Sequence, residues 1–250
     1  MAEPAIIWPP LPASPSLDDR QLHVWAFGLN PDQAAISRCA AVLSAEETGR
    51  AAKFRLERDQ RRFTVAHGAL RSILAGYLRC DPTTLSFTQS PRGKPSLEGP
   101  EAKIPLHFNL THSNEMALVA VTSIGPVGVD VECIRPLNDA SGIADRFFSP
   151  RESQGLAALP PGEKPPAFFN LWTRKEAWLK ATGQGISESL DKVEVSFLPT
   201  QPARLISLPD DAGPTSDWAL FDLKPAAGFV GAAAAWSAAI ELHCWAWLER

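Results

Sequence analysis

An alternation of apolar and polar residues near the middle of the chain sets the first constraint on its fold. Valine occupies positions 127, 129 and 131, and these valines alternate with Gly128, Asp130 and Glu132. A period of two is the period of a β-strand, in which successive side chains point to opposite faces. The pattern therefore predicts a strand over 127–132 with one apolar face and with Asp130 and Glu132 on the other.

Strand-like and helical segments follow one another along the rest of the chain. Further strands are expected at 22–27, 106–111, 117–122, 193–198, 218–223, 229–235 and 241–248. Helices are expected at 44–56, 59–78, 143–148 and 167–181, and another is expected to begin at Ser149. Capping signals favour starts at Ser44 and Ser149, and Gly183 is a suitable C-terminal stop. Both parts of the chain thus contain a strand, helices and then antiparallel strands, which predicts an α+β fold.

Proline-rich segments and overall composition narrow the class of protein. Residues 1–18 are expected to form a tail and 82–105 a long loop region, because both contain many prolines. The net charge of −4 indicates no basic surface for nucleic acid. The apolar runs are shorter than the roughly 20 residues of a membrane span, and no signal-peptide pattern opens the chain. We therefore expect a cytoplasmic protein that binds neither nucleic acid nor membrane.

A second segment, Trp172–Lys180, complements the acidic strand. Glu176 and Lys180 are four residues apart on an expected helix, so they lie on one face. Taken alone, this pair also suits an exposed helix, just as Asp130 and Glu132 alone suit a solvated strand face. Together, three carboxylates and a lysine are what a hard cation and a polyphosphate require, because magnesium prefers oxygen ligands.

Both segments resemble signature motifs of the 4′-phosphopantetheinyl transferases, specifically the larger, surfactin-synthetase-activating type. Residues 128–132 match the motif G-[VI]-D-[VI]-E, and residues 172–185 match W-[ST]-x-K-E-A-x-x-K-x-x-G-x-G at every defined position. Residues 92–95 contain the family's G-K-P. Residues 108–113 are similar to F-N-x-S-H, with Thr111 keeping the hydroxyl of the usual serine.

This resemblance, which covers about residues 44–198 in the family's motif order, implies a fold and an activity. The implied fold is two similar α+β halves related by a pseudo-twofold, each a small antiparallel sheet packed with helices, with the active site in the cleft between them. The expected division is a tail at 1–18, an N-terminal half at 19–124 and a C-terminal half at 125–250 that carries the magnesium site. The implied activity is Mg²⁺-dependent transfer of the 4′-phosphopantetheine arm of coenzyme A to a serine of an apo acyl or peptidyl carrier protein, releasing 3′,5′-ADP. The larger type also implies a monomer.

The same resemblance implies roles for individual residues. The implied metal ligands are Asp130, Glu132 and Glu176. The implied catalytic residues are Glu176 as general base, Lys180 and His112. The implied coenzyme A contacts are Arg50, Lys53, Arg62, Lys94, Pro95, Thr111, His112 and Lys180. Lys175 is a further candidate contact for ligand or carrier.

Some points stay open at the level of the sequence. Glu47 stands where family members often carry a lysine, so Arg50 or Arg55 is expected to take over that part of 3′-phosphate binding. Arg71 is either a ligand contact or a structural surface residue. The alternative function is a non-catalytic coenzyme A or carrier-protein binding module, and a third is a magnesium-dependent phosphotransferase for another diphosphate. The intact set of acids favours the transferase.

Overall fold

The computed structural model describes residues 4–10, 16–137, 139–184, 190–198 and 200–248. Its strands are β1 (Gln21–Gly28), β2 (Ser86–Gln89), β3 (Pro95–Glu98), β4 (His107–Ser113), β5 (Met116–Thr122), β6 (Val127–Cys133), β7 (Glu194–Val195), β8 (Leu205–Ser207), β9 (Trp218–Leu223), β10 (Phe229–Trp236) and β11 (Glu241–Ala246). Its α-helices are α1 (Gln33–Ala41), α2 (Ala45–Ala51), α3 (Glu57–Leu78), α4 (Ala140–Phe147), α5 (Pro150–Ala157) and α6 (Lys164–Thr182). The expected α+β class is confirmed.

A four-stranded sheet and a three-stranded sheet form the centre of the fold. The first sheet has the strand order β11-β1-β5-β4, and the second has the order β6-β10-β9. Neighbouring strands are antiparallel in both sheets except β1 and β11, which run parallel. The chain thus ends by returning to the first sheet, so β11 from the expected C-terminal half pairs with a strand of the N-terminal half.

Apolar side chains join these sheets and two helices into four layers. Helix α3 covers the outer face of the first sheet, where Leu70 and Ile73 belong to the same buried cluster as Phe27. Helix α6 covers the outer face of the second sheet. The cluster between the sheets includes the valines of β6. The apolar face of the acidic strand is therefore the inner face, as its alternation predicts.

Gly128 lets α6 lie directly against β6. A Cβ atom at this position would be 2.1 Å from the carbonyl oxygen of Ala177 and 2.4 Å from the amide nitrogen of Ala181. No side chain fits into such a gap, since these are backbone atoms of a packed helix. The close approach brings the polar face of β6, with Asp130 and Glu132, alongside the segment of α6 that carries the predicted Glu–Lys pair.

The capping signals in the sequence are confirmed, and they fix the ends of three helices. Ser44 and Glu47 form a capping box at the start of α2, and Ser149 and Glu152 form one at the start of α5. Gly183 ends α6 with a φ of 71°, in the left-handed region that favours glycine. Helix α2 ends at Ala51, five residues before its expected end, whereas α3 begins two residues early.

Helix α1 and the strands β2, β3 and β8 were not expected from the sequence. Helix α1 buries only Ala35 and Cys39, so it has no apolar stripe that would predict a helix. The expected loop region at 82–105 contains the hairpin of β2 and β3, whose short strands are mostly exposed. Short exposed strands carry little alternation, and the prolines around them are a stronger signal.

The described part of the N-terminal tail lies against the body of the protein. The amide of Ile7 donates to the carbonyl oxygen of Pro225 over 3.0 Å, and the amide of Ala246 donates to that of Pro9 over 2.8 Å. Of the segments named from the sequence, residues 1–3 and 11–15 of the tail and Gly185 of the second motif lie outside the described residues. None of the described helices has the length and apolar character needed to cross a membrane.

Candidate functional site

Lys180, Asp130 and Thr111 form a hydrogen-bonded cluster where β4, β6 and α6 meet. The ammonium of Lys180 lies 2.6 Å from Oδ1 of Asp130 and donates to Thr111 Oγ1 over 3.1 Å. The hydroxyl of Thr111 in turn donates to the same Oδ1 over 3.1 Å. Asp130 is only 5% exposed. Burial raises its pKa and the charge of Lys180 lowers it, with a net rise. The structure thus places the predicted helix lysine on the predicted strand acid, a contact that was not expected from the sequence.

Glu176 lies beside this cluster and is a second acid of the site with a raised pKa. It is 2% exposed, and burial together with the charges of Asp130 and Glu132 raises its pKa to about 7, against the opposing effect of Lys180. Oε1 of Glu176 and Oδ2 of Asp130 are buried and have no hydrogen-bond partner among the described residues. Buried carboxylate oxygens are costly without partners, so this position favours a cation.

The oxygen atoms at the site suit a hard divalent cation. Among residues 4–10, 16–137, 139–184, 190–198 and 200–248, no group of three His, Cys, Asp or Glu side chains is arranged to hold a metal ion. The ammonium of Lys180 supplies the compensating positive charge to Asp130 instead. The unpartnered oxygens of Asp130 and Glu176 nevertheless fit a cation with oxygen ligands. The three-carboxylate metal site stays a prediction.

Glu132 lies at the outer end of the same strand face and is more accessible. Its side chain is 23% exposed and lies 3.4 Å from the guanidinium of Arg135. The hydroxyl of Ser113 donates to its Oε2 over 2.7 Å. The negative charge of Glu132 adds to the effect of burial and helps to raise the pKa of Asp130 and of Glu176.

Three polar side chains of β4 face the open edge of β6. Asn109 accepts a hydrogen bond from the amide of Val129 over 2.9 Å, and Thr111 and Ser113 bind the strand's two carboxylates. Asn109 and Ser113 were not expected at the site. Their signal was present in the sequence, because polar residues at 109, 111 and 113 have the period of one strand face.

His112 lies on the opposite face of β4 from Thr111. His112 is exposed at the edge of the site. Partial desolvation by the surrounding protein nevertheless lowers its pKa, and the positive charges of Lys180, His67 and Arg62 lower that pKa further. A lowered pKa keeps the imidazole neutral near pH 7. His112 is therefore able to donate one hydrogen bond to an anion, while Lys180 supplies charge.

The basic cluster of Arg50, Lys53, Arg55 and Arg62, which contains the predicted coenzyme A contacts of α2 and α3 and the segment between them, includes both paired and exposed side chains. Arg62 donates to Oε1 of Glu115 over 2.5 Å and lies 3.6 Å from Asp59. The guanidinium of Arg50 lies over the ring of Phe63, 5.4 Å from its centroid. Lys53 and Arg55 are exposed. Two neighbouring carboxylates thus offset the charge of Arg62, whereas Arg50 has an aromatic partner and keeps its full positive charge.

Glu47 has a structural role in place of the family's lysine. Its carboxylate is 2.6 Å from Nε of Arg71, which is only 2% exposed. Burial alone would raise the pKa of Glu47, but hydrogen bonds from His67, the Ser44 amide and Arg71 outweigh it and lower the pKa to about 2. Arg71 is therefore structural but buried, not on the surface, and it neutralises the acid that stands in the basic cluster.

Lys94 joins the hairpin loop to the helix that carries Glu176. Its ammonium donates to the carbonyl oxygens of Val127 over 3.0 Å and Ala181 over 2.6 Å. Burial lowers the pKa of Lys94 to about 8. A cavity of about 390 Å³ adjoins it, lined by Ser90, Pro91, Arg92, Lys94, Pro95, Ser96, Leu106, His107, Phe108, Thr182 and Gly183. Lys94 and Pro95 thus border a cavity between the loop and the end of α6.

The expectation that Lys175 contacts a ligand or carrier is wrong. Its side chain is fully buried, 2.5 Å from Oε2 of Glu152, and it donates to the carbonyl oxygens of Leu190 and Val193 over 2.8 and 2.6 Å. Arg174 is also buried, at 2.8 Å from Asp222. These two cations anchor the back of α6, so that Glu176 and Lys180 project from a fixed helix.

Comparison with known protein families matches both parts of the chain. Residues 126–235 match the family described as the 4′-phosphopantetheinyl transferase superfamily. Residues 28–124 match the family described as 4′-phosphopantetheinyl transferase, N-terminal. The first match includes β6 and α6, and the second includes the β4 side chains that face them.

Individual 4′-phosphopantetheinyl transferases are also similar to this chain over most of its length. The chain is 40% identical to the 4′-phosphopantetheinyl transferase HetI of Nostoc sp. over 91% of this chain and 92% of that protein. It is 38% identical to a putative 4′-phosphopantetheinyl transferase of Synechocystis sp., over 76% of this chain and 75% of the relative. It is 31% identical to the 4′-phosphopantetheinyl transferase Sfp of Bacillus subtilis, over 71% and 76% respectively.

Proposed function

We propose a mechanism for this chain from the premise that it belongs to the 4′-phosphopantetheinyl transferase superfamily. The chain is an enzyme that transfers the 4′-phosphopantetheine arm of coenzyme A to a carrier protein. The proposal concerns which residues carry out this transfer and how. Its main support is Glu176, a buried carboxyl whose pKa of about 7 is set by burial and two neighbouring acids.

The cavity beside Lys94 and the basic surface of α2 and α3 are the proposed coenzyme A site. Pro95 and Lys94 border the nucleotide in this proposal, and the volume of about 390 Å³ suits part of such a ligand. Arg50 and Lys53 bind the 3′-phosphate, because their charges are not offset by a carboxylate in the described contacts. Arg62 contributes less charge, since Glu115 is 2.5 Å away.

Magnesium is the proposed metal, held by Asp130, Glu132 and Glu176. The proposal rests on the buried, unpartnered oxygens of Asp130 and Glu176. It also rests on the raised pKa of each carboxyl, which is due first to burial and then to the negative charge of neighbouring acids. When bound, the ion supplies positive charge to the pyrophosphate of coenzyme A. With a cation beside Asp130, Lys180 would be able to bind the phosphates, because Asp130 would no longer depend on its charge.

Glu176 is the proposed general base. Burial and the neighbouring acids raise its pKa to about 7 when no metal is bound. A bound cation would lower that pKa and keep the carboxylate ionised, as a general base must be to accept a proton. Glu176 takes the proton of the carrier serine hydroxyl, directly or through water. The serine oxygen forms a bond to the phosphorus that bears pantetheine, and the bond from that phosphorus to the bridging oxygen breaks.

Lys180, Thr111 and His112 are proposed to bind the phosphates during this step. The leaving group is 3′,5′-ADP, which takes the bonding electrons and gains negative charge. Lys180 meets that charge as a cation, and the neutral imidazole of His112 meets it as a hydrogen-bond donor. The protein therefore acts mainly by positioning groups and stabilising charge.

One chain supplies both strands and the helix that surround the carboxylates. We therefore propose that the enzyme works as a monomer. Widely spaced cysteines suit a reducing compartment, which supports the cytoplasm as its location.

Intact-protein mass spectrometry tests the proposed roles. Apo acyl and peptidyl carrier proteins are incubated with the enzyme, coenzyme A and Mg²⁺, alongside EDTA and Glu176→Ala controls. We expect the carrier to gain the mass of one phosphopantetheine arm, and both controls to abolish the gain. Full modification in the presence of EDTA would refute the metal's role, and full modification by Glu176→Ala would refute the base.

A further inference from the structure

The hydroxyl groups of β4 hold the two carboxylates of β6 in the same manner. Thr111 donates to Oδ1 of Asp130 over 3.1 Å, and Ser113 donates to Oε2 of Glu132 over 2.7 Å. Both pairs are two residues apart on their strands, so the bonds repeat along the edge where the sheets meet. Because the same hydroxyl–carboxylate bond occurs twice, two residues apart on each strand, we infer that the two hydroxyls fix the orientation of the carboxylates.

Each hydroxyl binds one oxygen of its carboxylate and makes no bond to the other oxygen. Oδ2 of Asp130 is buried and lacks a partner within the described ranges. For Glu132, the contacts from Ser113 and Arg135 both fall on Oε2. A carboxylate that is held through one oxygen presents the second in a defined direction, which is how outer hydrogen bonds orient metal ligands.

Two hydrogen bonds define the direction in which the hydroxyl proton of Ser113 points. A serine hydroxyl has one proton to donate and lone pairs with which to accept. Ser113 Oγ accepts a hydrogen bond from the amide of Cys133 over 3.3 Å, and its own proton lies between Oγ and Oε2 of Glu132. Because the amide of the residue next to Glu132 holds the oxygen, the hydroxyl and the carboxylate are oriented as a unit.

We propose that Ser113 is a positioning residue that orients Glu132 toward a divalent cation, as Thr111 orients Asp130. The inference rests on the metal site of the proposed function and adds a residue that binds neither the metal nor coenzyme A. Loss of an outer partner of a metal ligand weakens metal binding roughly 10-fold to 100-fold. Ser113→Ala therefore lowers the affinity for the cation by that factor, and Ser113→Thr retains the hydroxyl and the affinity.

Manganese binding measures this effect without an activity assay. The full chain is titrated with Mn²⁺ at saturating coenzyme A, and free Mn²⁺ is followed by electron paramagnetic resonance, with a protein-free sample to subtract binding by coenzyme A alone. Ser123→Ala is the matched control, because within the described part of the chain that hydroxyl bonds only the carbonyl oxygen of Asp18, over 3.5 Å. Thermal unfolding in EDTA checks that Ser113→Ala is folded.

The expected result is weaker Mn²⁺ binding in Ser113→Ala, with wild-type binding in Ser113→Thr and Ser123→Ala. Unchanged affinity in a folded Ser113→Ala would overturn the inference and leave the metal site standing. Equal weakening in Ser113→Thr would also overturn it, because the hydroxyl would not be the cause. A wild-type chain that binds no Mn²⁺ with coenzyme A would overturn the metal site and the inference together.

Discussion

Replacing Glu176 by glutamine is expected to stabilise the metal-free protein while it abolishes transfer. The side chain is 2% exposed and lies near two other acids, so its negative charge is unfavourable in the folded chain unless a cation is bound. Glutamine has nearly the same shape and no charge. The substitution thus removes a group that the function requires and that folding disfavours.

The magnitude follows from the pKa of Glu176. Its rise from the usual 4.5 to about 7 corresponds to about 3 kcal/mol at 1.36 kcal/mol per pKa unit. The folded protein keeps the proton up to about pH 7, whereas the unfolded chain loses it near pH 4.5. The wild-type contribution is therefore fully present below pH 4.5 and is lost as the pH rises through 7. The gain in Glu176→Gln is about 3 kcal/mol at pH 8 and about 1 kcal/mol at pH 5.

Urea unfolding in EDTA at pH 5 and pH 8 measures this difference. The control is Glu241→Gln, an exposed acid of β11 at which the same substitution should change the free energy of unfolding by less than about 0.5 kcal/mol. Glu176→Gln that is no more stable than wild type at pH 8 would refute the reasoning. An equal gain at both pH values would also refute it, because the effect would then not come from the charge.

Three further outcomes follow from the packing and the ion pairs. Gly128→Ala should lower the free energy of unfolding in urea by at least about 1–3 kcal/mol, because its Cβ would clash with the backbone of α6. Gly162→Ala is the control and should not destabilise the chain, because there is open space around that position. Equal stability of the two variants would contradict the close approach of α6 to β6. Lys94→Met should raise KM for coenzyme A in a transfer assay, because the loop loses its bonds to the start of β6 and the end of α6, and unchanged kinetics would remove it from the site. Glu47 should stabilise the chain less as the pH falls from 4.5 through 2, because hydrogen bonds from His67, the Ser44 amide and Arg71 lower its pKa. Arg71→Met should weaken that pH dependence, because it removes one of these partners, and acid unfolding of both proteins measures the difference; an unchanged pH dependence would contradict the role of Arg71.

Most strands and helices could be predicted because their signals are local. The alternation at 127–132 and the serine caps at positions 44 and 149 each act within a few residues. The parallel pairing of β11 with β1 could not be predicted in this way, because the alternation of a strand states which face is buried and not which strand is its neighbour.

The core of the site was predictable for the same reason. Strand period and helix spacing place Asp130 and Lys180 on facing surfaces, and Gly128 brings those surfaces together. The role of Lys175 was not predictable, because its partner Glu152 is distant in sequence and belongs to another helix. A lysine next to Glu176 has the same local sequence pattern whether its side chain is buried or exposed.

Anomalous diffraction from crystals grown with Mn²⁺ and coenzyme A tests the central claim most directly. We expect one strong manganese peak within ligand distance of Asp130, Glu132 and Glu176, with the ammonium of Lys180 moved from Asp130 toward the phosphates. A peak elsewhere, or coenzyme A bound with Lys180 still on Asp130 and no manganese at the carboxylates, would contradict the proposed metal site and the mechanism built on it.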